Sequence, residues 1–457
     1  MSYQPASYKT AVASMFALGH ELAQTPSQKF DIAHMRVLLQ AMDHPERRFP
    51  SVLIAGTNGK GSTAATLASI LQASELKTGL YTSPHLIRIN ERIRVNGAEI
   101  SDSDFAQLHA HVDRLAGKLT ENGELPWHPS FFEMMTAIAF EFFARRKVEL
   151  AVLEVGMGGR LDATNVVDPR VSVIADIALD HQKYLGNTLG EIAREKMGIV
   201  RPGGVAVVLP QQPEANDVIG NSILEMDARA VNAVPYVPPV SPGSGEYLAA
   251  STGSVSGYVY RYPLQVMGEQ ILVETPLVGR HQLRNVALAI AASVELSGER
   301  FGGITAKSIE RGIRETHWPG RFQMIAARPG WPEMVIDVAH NPAGAWALRS
   351  ALSERYEGRP LIFVFGAMRD KAISEIAEIL FPLADKVIAT QPGNPRAASP
   401  QEIQQAAARS GAEIEAIEDV RRAIERAREL AGAGTVIVVT GSIYMVGEVM
   451  SEIGVQV

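Results

Sequence analysis

Residues 51–63 carry the pattern of a phosphate-binding turn. Ser-Val-Leu-Ile-Ala-Gly56-Thr57-Asn58-Gly59-Lys60-Gly61-Ser62 leads from an apolar run into a helical pattern. Its three glycines let the backbone turn tightly, so that the N–H groups of the loop converge. The helix start adds partial positive charge and Lys60 adds a full one. The hydroxyl of Ser62 or Thr63 is placed to meet a magnesium ion or a phosphate oxygen. The spacing departs from the common GxxxxGK[ST] pattern, because Gly61 separates Lys60 from Ser62. A plain strand-to-helix turn is the competing explanation.

Three further residues could serve the same chemistry. Ser83, Glu154 and His181 each follow or close an apolar run. A carboxylate at Glu154 suits magnesium, which prefers oxygen ligands and keeps several waters. It also needs a partner, since it ends a strongly apolar stretch. Histidine is a less usual magnesium ligand, and His181 also fits a helix cap. Ser83 precedes a proline, so a turn residue is the simpler assignment for it.

These residues need elements to bring them together. Ser51–Ala55, Thr78–Thr82, Leu150–Val155 and Val171–Ala175 read as strands. Ser62–Ala73 and Phe131–Phe143 read as helices between them. Strand–helix alternation predicts a mostly parallel sheet covered on both faces. Ligands of such sheets gather at the carboxyl ends of the strands, where the turn, Ser83, Glu154 and His181 would all lie. The segment 211–257 is rich in Pro, Gly and Ser and predicts loops or a small peripheral sheet. Tyr258–Val278 reads as short antiparallel strands and Arg280–Leu296 as a helix. After Trp318-Pro319-Gly320 the alternation restarts, with strands at Glu333–Val338, Leu361–Phe365, Lys386–Thr390 and Thr435–Thr440. Two α/β domains follow, 1–316 and 317–457, with the boundary near Thr316–Gly320.

Composition narrows the function classes. The chain of 457 residues is 46% hydrophobic and 20% charged, which supports a large core. The net charge of −7 argues against a broad nucleic-acid surface, but not against a nucleotide, whose binding depends on the local field. With no cysteine there is no disulfide, thiolate nucleophile or cysteine-bound zinc. No apolar run approaches the ~20 residues of a membrane span, and the first residues lack an export-signal pattern. A cytoplasmic protein without membrane or nucleic-acid partners is expected.

Several segments together resemble one family. Gly56-Thr57-Asn58-Gly59-Lys60-Gly61-Ser62, Tyr81-Thr82-Ser83-Pro84-His85-Leu86 and the run from Leu153-Glu154 through Gly158-Gly159-Arg160-Leu161-Asp162-Ala163-Thr164-Asn165 are three of them. Leu179-Asp180-His181 and Arg194-Glu195-Lys196-Met197-Gly198-Ile199 are two more. They are similar to the Mur ligase superfamily, and within it to the folylpolyglutamate synthase and dihydrofolate synthase branch. The resemblance runs from about residue 50 to about residue 450. It implies an N-terminal P-loop ATPase-type domain with a mostly parallel sheet and a smaller C-terminal Rossmann-like α/β domain.

The resemblance also implies roles. Thr57, Asn58, Gly59, Lys60, Gly61 and Ser62 would hold the phosphates of ATP. Ser83, Glu154 and His181 would bind magnesium, two ions in all. Lys196 would be carbamylated, turning a cation into an anion; taken alone it is a helical lysine beside Glu195 on a solvated face. Lys60, Lys196 and His181 would form the catalytic centre. Asp162 and Asn165 would lie near the pterin-bearing substrate. Asn285, ending Gly279-Arg280-His281-Gln282-Leu283-Arg284-Asn285, would contact adenine. Arg321 of Trp318-Pro319-Gly320-Arg321-Phe322 would touch the phosphates. Asp337 and His340 would meet the nucleotide from the C-terminal domain. Arg92, Arg160, Asp370-Lys371 and Thr440–Tyr444 receive no firm role. The implied activity is ATP-dependent joining of L-glutamate to a folate or dihydropteroate carboxylate by a monomer. The rivals are a ligase acting on a UDP-sugar precursor, a P-loop kinase or switch, and a non-catalytic relative that only binds folate or nucleotide.

Overall fold

The computed structural model describes residues 7–19, 32–239, 248–249, 258–298 and 301–455. The first sheet holds β1 (Ser51–Ala55), β2 (Thr78–Tyr81), β3 (Ile93–Val95), β4 (Ala98–Glu99), β5 (Leu150–Glu154), β6 (Val171–Ile174), β7 (Val205–Val208) and β8 (Arg229–Asn232). Its order is β4-β3-β2-β5-β1-β6-β7-β8. The six strands from β2 to β8 run parallel, and β3 and β4 form an antiparallel edge. β1 and β5 are buried along their whole length, as expected of strands covered on both faces.

The helix Lys60–Ala73 follows β1 and is buried nearly all round. Its Ala64, Leu67, Ala68 and Leu71 share a core with Val286 and Ile290 of the helix Arg280–Leu296 and with Ile309 of the helix Ala306–Arg314. Gly312 lies directly against the backbone of Ile70, where no side chain would fit. A second core on the other face packs Phe140 and Phe143 of the helix Phe131–Arg146 against Leu153 and Ala55. That helix starts with a Ser130/Glu133 capping box, which satisfies two of its free N–H groups.

A three-stranded antiparallel sheet contains β9 (Leu248–Ala249), β10 (Tyr258–Val266) and β11 (Glu269–Thr275). A third sheet holds β12 (Gln323–Ile325), β13 (Glu333–Ile336), β14 (Leu361–Phe365), β15 (Lys386–Ala389), β16 (Ile414–Ala416) and β17 (Val436–Thr440). Its order is β12-β13-β17-β14-β15-β16, with only β12 antiparallel. The change of sheet falls between Arg314, where a helix ends, and Gln323. No described helix is long and apolar enough to cross a membrane.

The sequence expectation for 211–257 needs correction in its first third. Pro213–Glu225 is a helix and β8 follows it, extending the large parallel sheet. Pro213 sits in the first turn, where its missing N–H costs nothing and its fixed φ suits the helix. The Pro/Gly/Ser richness that predicted loops begins only after this unit. Residues 240–247 and 250–257 lie outside the described residues.

Candidate active site

The carboxyl ends of both large sheets open on one cavity of about 780 Å³. From the first sheet come the loop after β1, Ser83 after β2, Glu154 at the end of β5 and Asp176–His181 after β6. From the third sheet come Asp337 and His340 after β13, Lys371 after β14 and Ser442 after β17. The position fits the rule for open parallel sheets, whose crevice lies where strand order reverses. Here β1 is flanked by β5 and β6.

The phosphate loop is stitched to its neighbour. Thr57 and Asn58 both donate backbone N–H to the Asp176 carbonyl, at 2.7 and 3.1 Å. The Thr57 hydroxyl donates to Ala178 O at 3.0 Å and accepts from Ala178 N at 3.1 Å. Gly59, with φ +83°, is the N-cap of the helix Lys60–Ala73 and supplies no side chain to its free N–H groups. They are left for an anion. Any side chain at Gly59 would collide with Asn285, and one at Gly61 would come within 2.8 Å of the Trp318 ring. Lys60 Nζ donates to Thr57 O at 3.2 Å, which folds its charge over the loop.

Glu154 is buried, and its Oε2 accepts from Ser83 N at 3.0 Å. His181 adopts a left-handed conformation, φ 51°, facing the same cavity. Burial, above all, pushes its imidazole down to about 4, leaving a neutral ring with a lone pair at neutral pH. Among the described residues no three His, Asp or Glu side chains form a metal cage. One carboxylate, one hydroxyl and one imidazole still suit magnesium, which keeps waters and takes oxygens from nucleotide phosphates.

Lys196 overturns its expected place on a solvated face. It is only 3% exposed, and its Nζ donates to Gly56 O at 2.8 Å. Burial, with the nearby charge of Lys60, pushes its ammonium down to about 7. The helix Leu189–Met197 is amphipathic, and Lys196 falls on the inward face with Ile192 and Ala193.

Arg321 and Asp337 line the same cavity from residues after the change of sheet. Burial lowers the Arg321 guanidinium, while Asp337 and Glu154 draw it back up. Asp337 accepts from Phe322 N and Ala339 N, both at 2.8 Å. Burial raises its carboxyl against the pull of Arg321. Asn285 is buried, donates to Gln282 Oε1 at 2.8 Å and packs on Gly59.

The two residues expected near the acceptor part company. Asp162 lines the cavity and accepts from Met157 N, Thr164 N and the Thr164 hydroxyl at 3.0, 3.0 and 2.6 Å. Asn165 is not among the lining residues. Its amide donates to Arg160 O and Gly198 O, and its oxygen accepts from Arg201. It braces the loop from behind. Arg160 pairs with Glu195 at 2.9 Å, and Arg92 donates to His85 Nδ1 at 2.7 Å.

Sequence reasoning assigned Asp180 and Lys371 no role, yet they meet in the cavity at 2.7 Å. Burial alone would raise the Asp180 carboxyl. The close approach of His340 and the charges of His181 and Lys371 outweigh this and hold it well below the usual carboxylate range. An acid beside a histidine at a strand end was the available signal. Also missed were the Arg284–Asp176 pair at 2.7 Å and an apolar end formed by Met35, Trp127 and Phe132.

Residues 54–293 match the Mur ligase middle domain, and residues 320–443 match the Mur ligase glutamate ligase domain. A dihydrofolate synthase/folylpolyglutamate synthase of Bacillus subtilis is 33% identical, covering 92% of this chain and 94% of that one. A Mycobacterium tuberculosis protein of the same name is 33% identical over 97% of this chain and 94% of its own. The structure of M. tuberculosis folylpolyglutamate synthase complexed with ADP and AMPPCP superposes with a TM-score of 0.82 at 32% identity, covering 97% of this chain and 99% of that one. Escherichia coli FolC in complex with DHPP and ADP gives 0.80 at 28% identity, covering 99% of each chain. The chain belongs to the folylpolyglutamate synthase/dihydrofolate synthase family of Mur ligases.

Proposed function

We propose that this protein joins L-glutamate to the carboxyl group of a folate-type acid at the expense of ATP. The acceptor is dihydropteroate, giving dihydrofolate, or a reduced folate, giving its polyglutamate. The observation that carries this is the single cavity shared by two sheet edges. Lys60 and the first turn of its helix line it from the first sheet, and Arg321, Asp337 and His340 line it from residues after the change of sheet. An apolar end, with Trp127 and Phe132, suits a flat heterocyclic acceptor. The catalytic framework divides into units 1–316 and 317–457. The enzyme is read as a cytoplasmic monomer that uses small molecules and no nucleic acid.

A carboxylate resists attack by an amine because it is already charged. Transfer of the γ-phosphoryl group to one carboxylate oxygen breaks the bond to the ADP oxygen and gives an acyl phosphate. The glutamate amine then attacks the acyl carbon, phosphate departs with the electron pair of its C–O bond, and the amine proton is released. The chain supplies placement and charge. The loop N–H groups and Lys60 hold the phosphates, and Arg321 balances charge that develops on the transferred group. Asn285 and Asp337 orient the nucleoside. Asp162 shapes the loop beside the acceptor.

Ser83, Glu154 and His181 would hold magnesium, two ions in all, and the metal would supply charge neutralisation on the phosphates. Lys196 is proposed to be carbamylated. Its amine sits one hydrogen bond from the phosphate loop and is neutral in a large fraction near pH 7, as attack on carbon dioxide requires. ADP release, measured with dihydropteroate or a reduced folate in turn, should depend on both glutamate and the acceptor. Mass spectrometry should find the acceptor heavier by one glutamyl unit. No ADP release with either acceptor rejects the assignment.

A further inference from the structure

Asp180 joins the two α/β units beside the phosphate loop. It lies past the end of β6, one residue before His181, and its side chain is 9% exposed. Lys371, itself 10% exposed, donates to Asp180 Oδ1 at 2.7 Å from the loop after β14. Asn341 Nδ2 donates to Asp180 Oδ2 at 3.3 Å, and His340 Nε2 lies 3.6 Å from the same oxygen. Asn341 also donates to Asn58 Oδ1 of the phosphate loop at 2.9 Å. Three loops therefore meet at one carboxylate: those after β6, β13 and β14.

Units joined by a short connection move relative to each other unless contacts fix them. A surface ion pair would fix little. A pair withdrawn from water is different, because separating it strands a charge in a poor dielectric. Directional hydrogen bonds to both carboxylate oxygens add register to attraction. We propose that Asp180 is a positioning residue: its carboxylate registers the second unit over the phosphate loop and so sets Lys371 and His340 opposite Lys60. The kinetic part of this rests on the ligase reading above; the geometric part does not.

The chain contains no cysteine, so Glu121→Cys with Glu357→Cys, both exposed and one on each unit, gives two unique sites for spin labels. Pulsed dipolar spectroscopy on the full chain with magnesium and AMPPCP should give a narrow distance distribution. Asp180→Asn and Lys371→Met, each in that background, should broaden or shift it, and Asn341→Ala should do so to a smaller degree. In steady-state assays either of the first two should lower kcat about 10- to 100-fold, as misplacement by an ångström does, while KM for ATP stays within about threefold. The double variant should be no slower than the slower single variant, because both remove one interaction. Unchanged label distances in the folded variants overturn the proposal, as do losses that multiply in the double variant. If the parent releases no ADP with either acceptor, the ligase reading fails, and the distance measurements still decide the role of Asp180.

Discussion

Replacing Lys196 with methionine removes a buried cation while keeping most of the packing volume. The folded chain holds the Lys196 ammonium near pKa 7, against the ordinary value of 10.5. For a lysine depressed in this way, the unfolded chain binds the extra proton between those two values. Stability therefore rises with pH across that window. The penalty is fully present below pH 7 and disappears above 10.5. From these two values it amounts to roughly 5 kcal/mol at pH 6 and about 2 kcal/mol at pH 9. Wild type should therefore lose about 3 kcal/mol relative to Lys196→Met on going from pH 9 to pH 6. Methionine also strands the Gly56 carbonyl, which now accepts from Lys196, at a cost of about 1–3 kcal/mol. That cost is independent of pH and moves one curve by a constant. Urea unfolding of both proteins from pH 6 to 9, in buffer freed of carbon dioxide, measures the difference. The variant should be inactive in ADP release throughout. Parallel stability curves would refute the claim that the ammonium is buried at a cost. Added bicarbonate should stabilise wild type alone at pH 8, with a mass increase of one carbon dioxide on the peptide containing Lys196.

Other outcomes separate binding from bracing. Gly59→Ala forces a side chain into a left-handed position and against Asn285; AMPPCP binding measured by calorimetry should weaken at least tenfold, and stability should fall by about 1–3 kcal/mol. Lys60→Met should cut kcat by about 100-fold or more while the melting temperature holds, as loss of one preorganised charge predicts. Asn165→Ala should lower stability by about 1–3 kcal/mol through its unpaired backbone partners, with KM for the acceptor unchanged; a large rise in that KM would return Asn165 to the substrate. Glu154→Gln should raise the magnesium concentration needed for half-maximal ADP release, and an unchanged requirement would remove Glu154 from the metal site.

The strands Ser51–Ala55 and Leu150–Glu154 and the helix that follows Gly59 lie within a residue or two of where the sequence puts them. Each is set by local pattern: apolar runs of strand length, glycines at the turn, helical spacing after it. Parallel alternation then carries Lys60, Ser83, Glu154 and His181 to one edge, because strand direction is fixed by the crossovers. The helix Pro213–Glu225 was missed because its proline signals a helix start as readily as a loop.

Other features were decided only by the fold. The burial of Lys196 depends on which face of its helix meets β1 and the phosphate loop, and a lysine beside a glutamate reads as solvated until that face is known. Asn165 turns away from the cavity because Arg201, Arg160 and Gly198 satisfy its amide from behind. Asp180 and Lys371 are 191 residues apart, so no local spacing announces their contact. The amino-acid order determines which charges and donors exist and which strand tip each occupies. The packing of one sheet edge against another determines which of them lose water, and that loss sets their partners and their protonation.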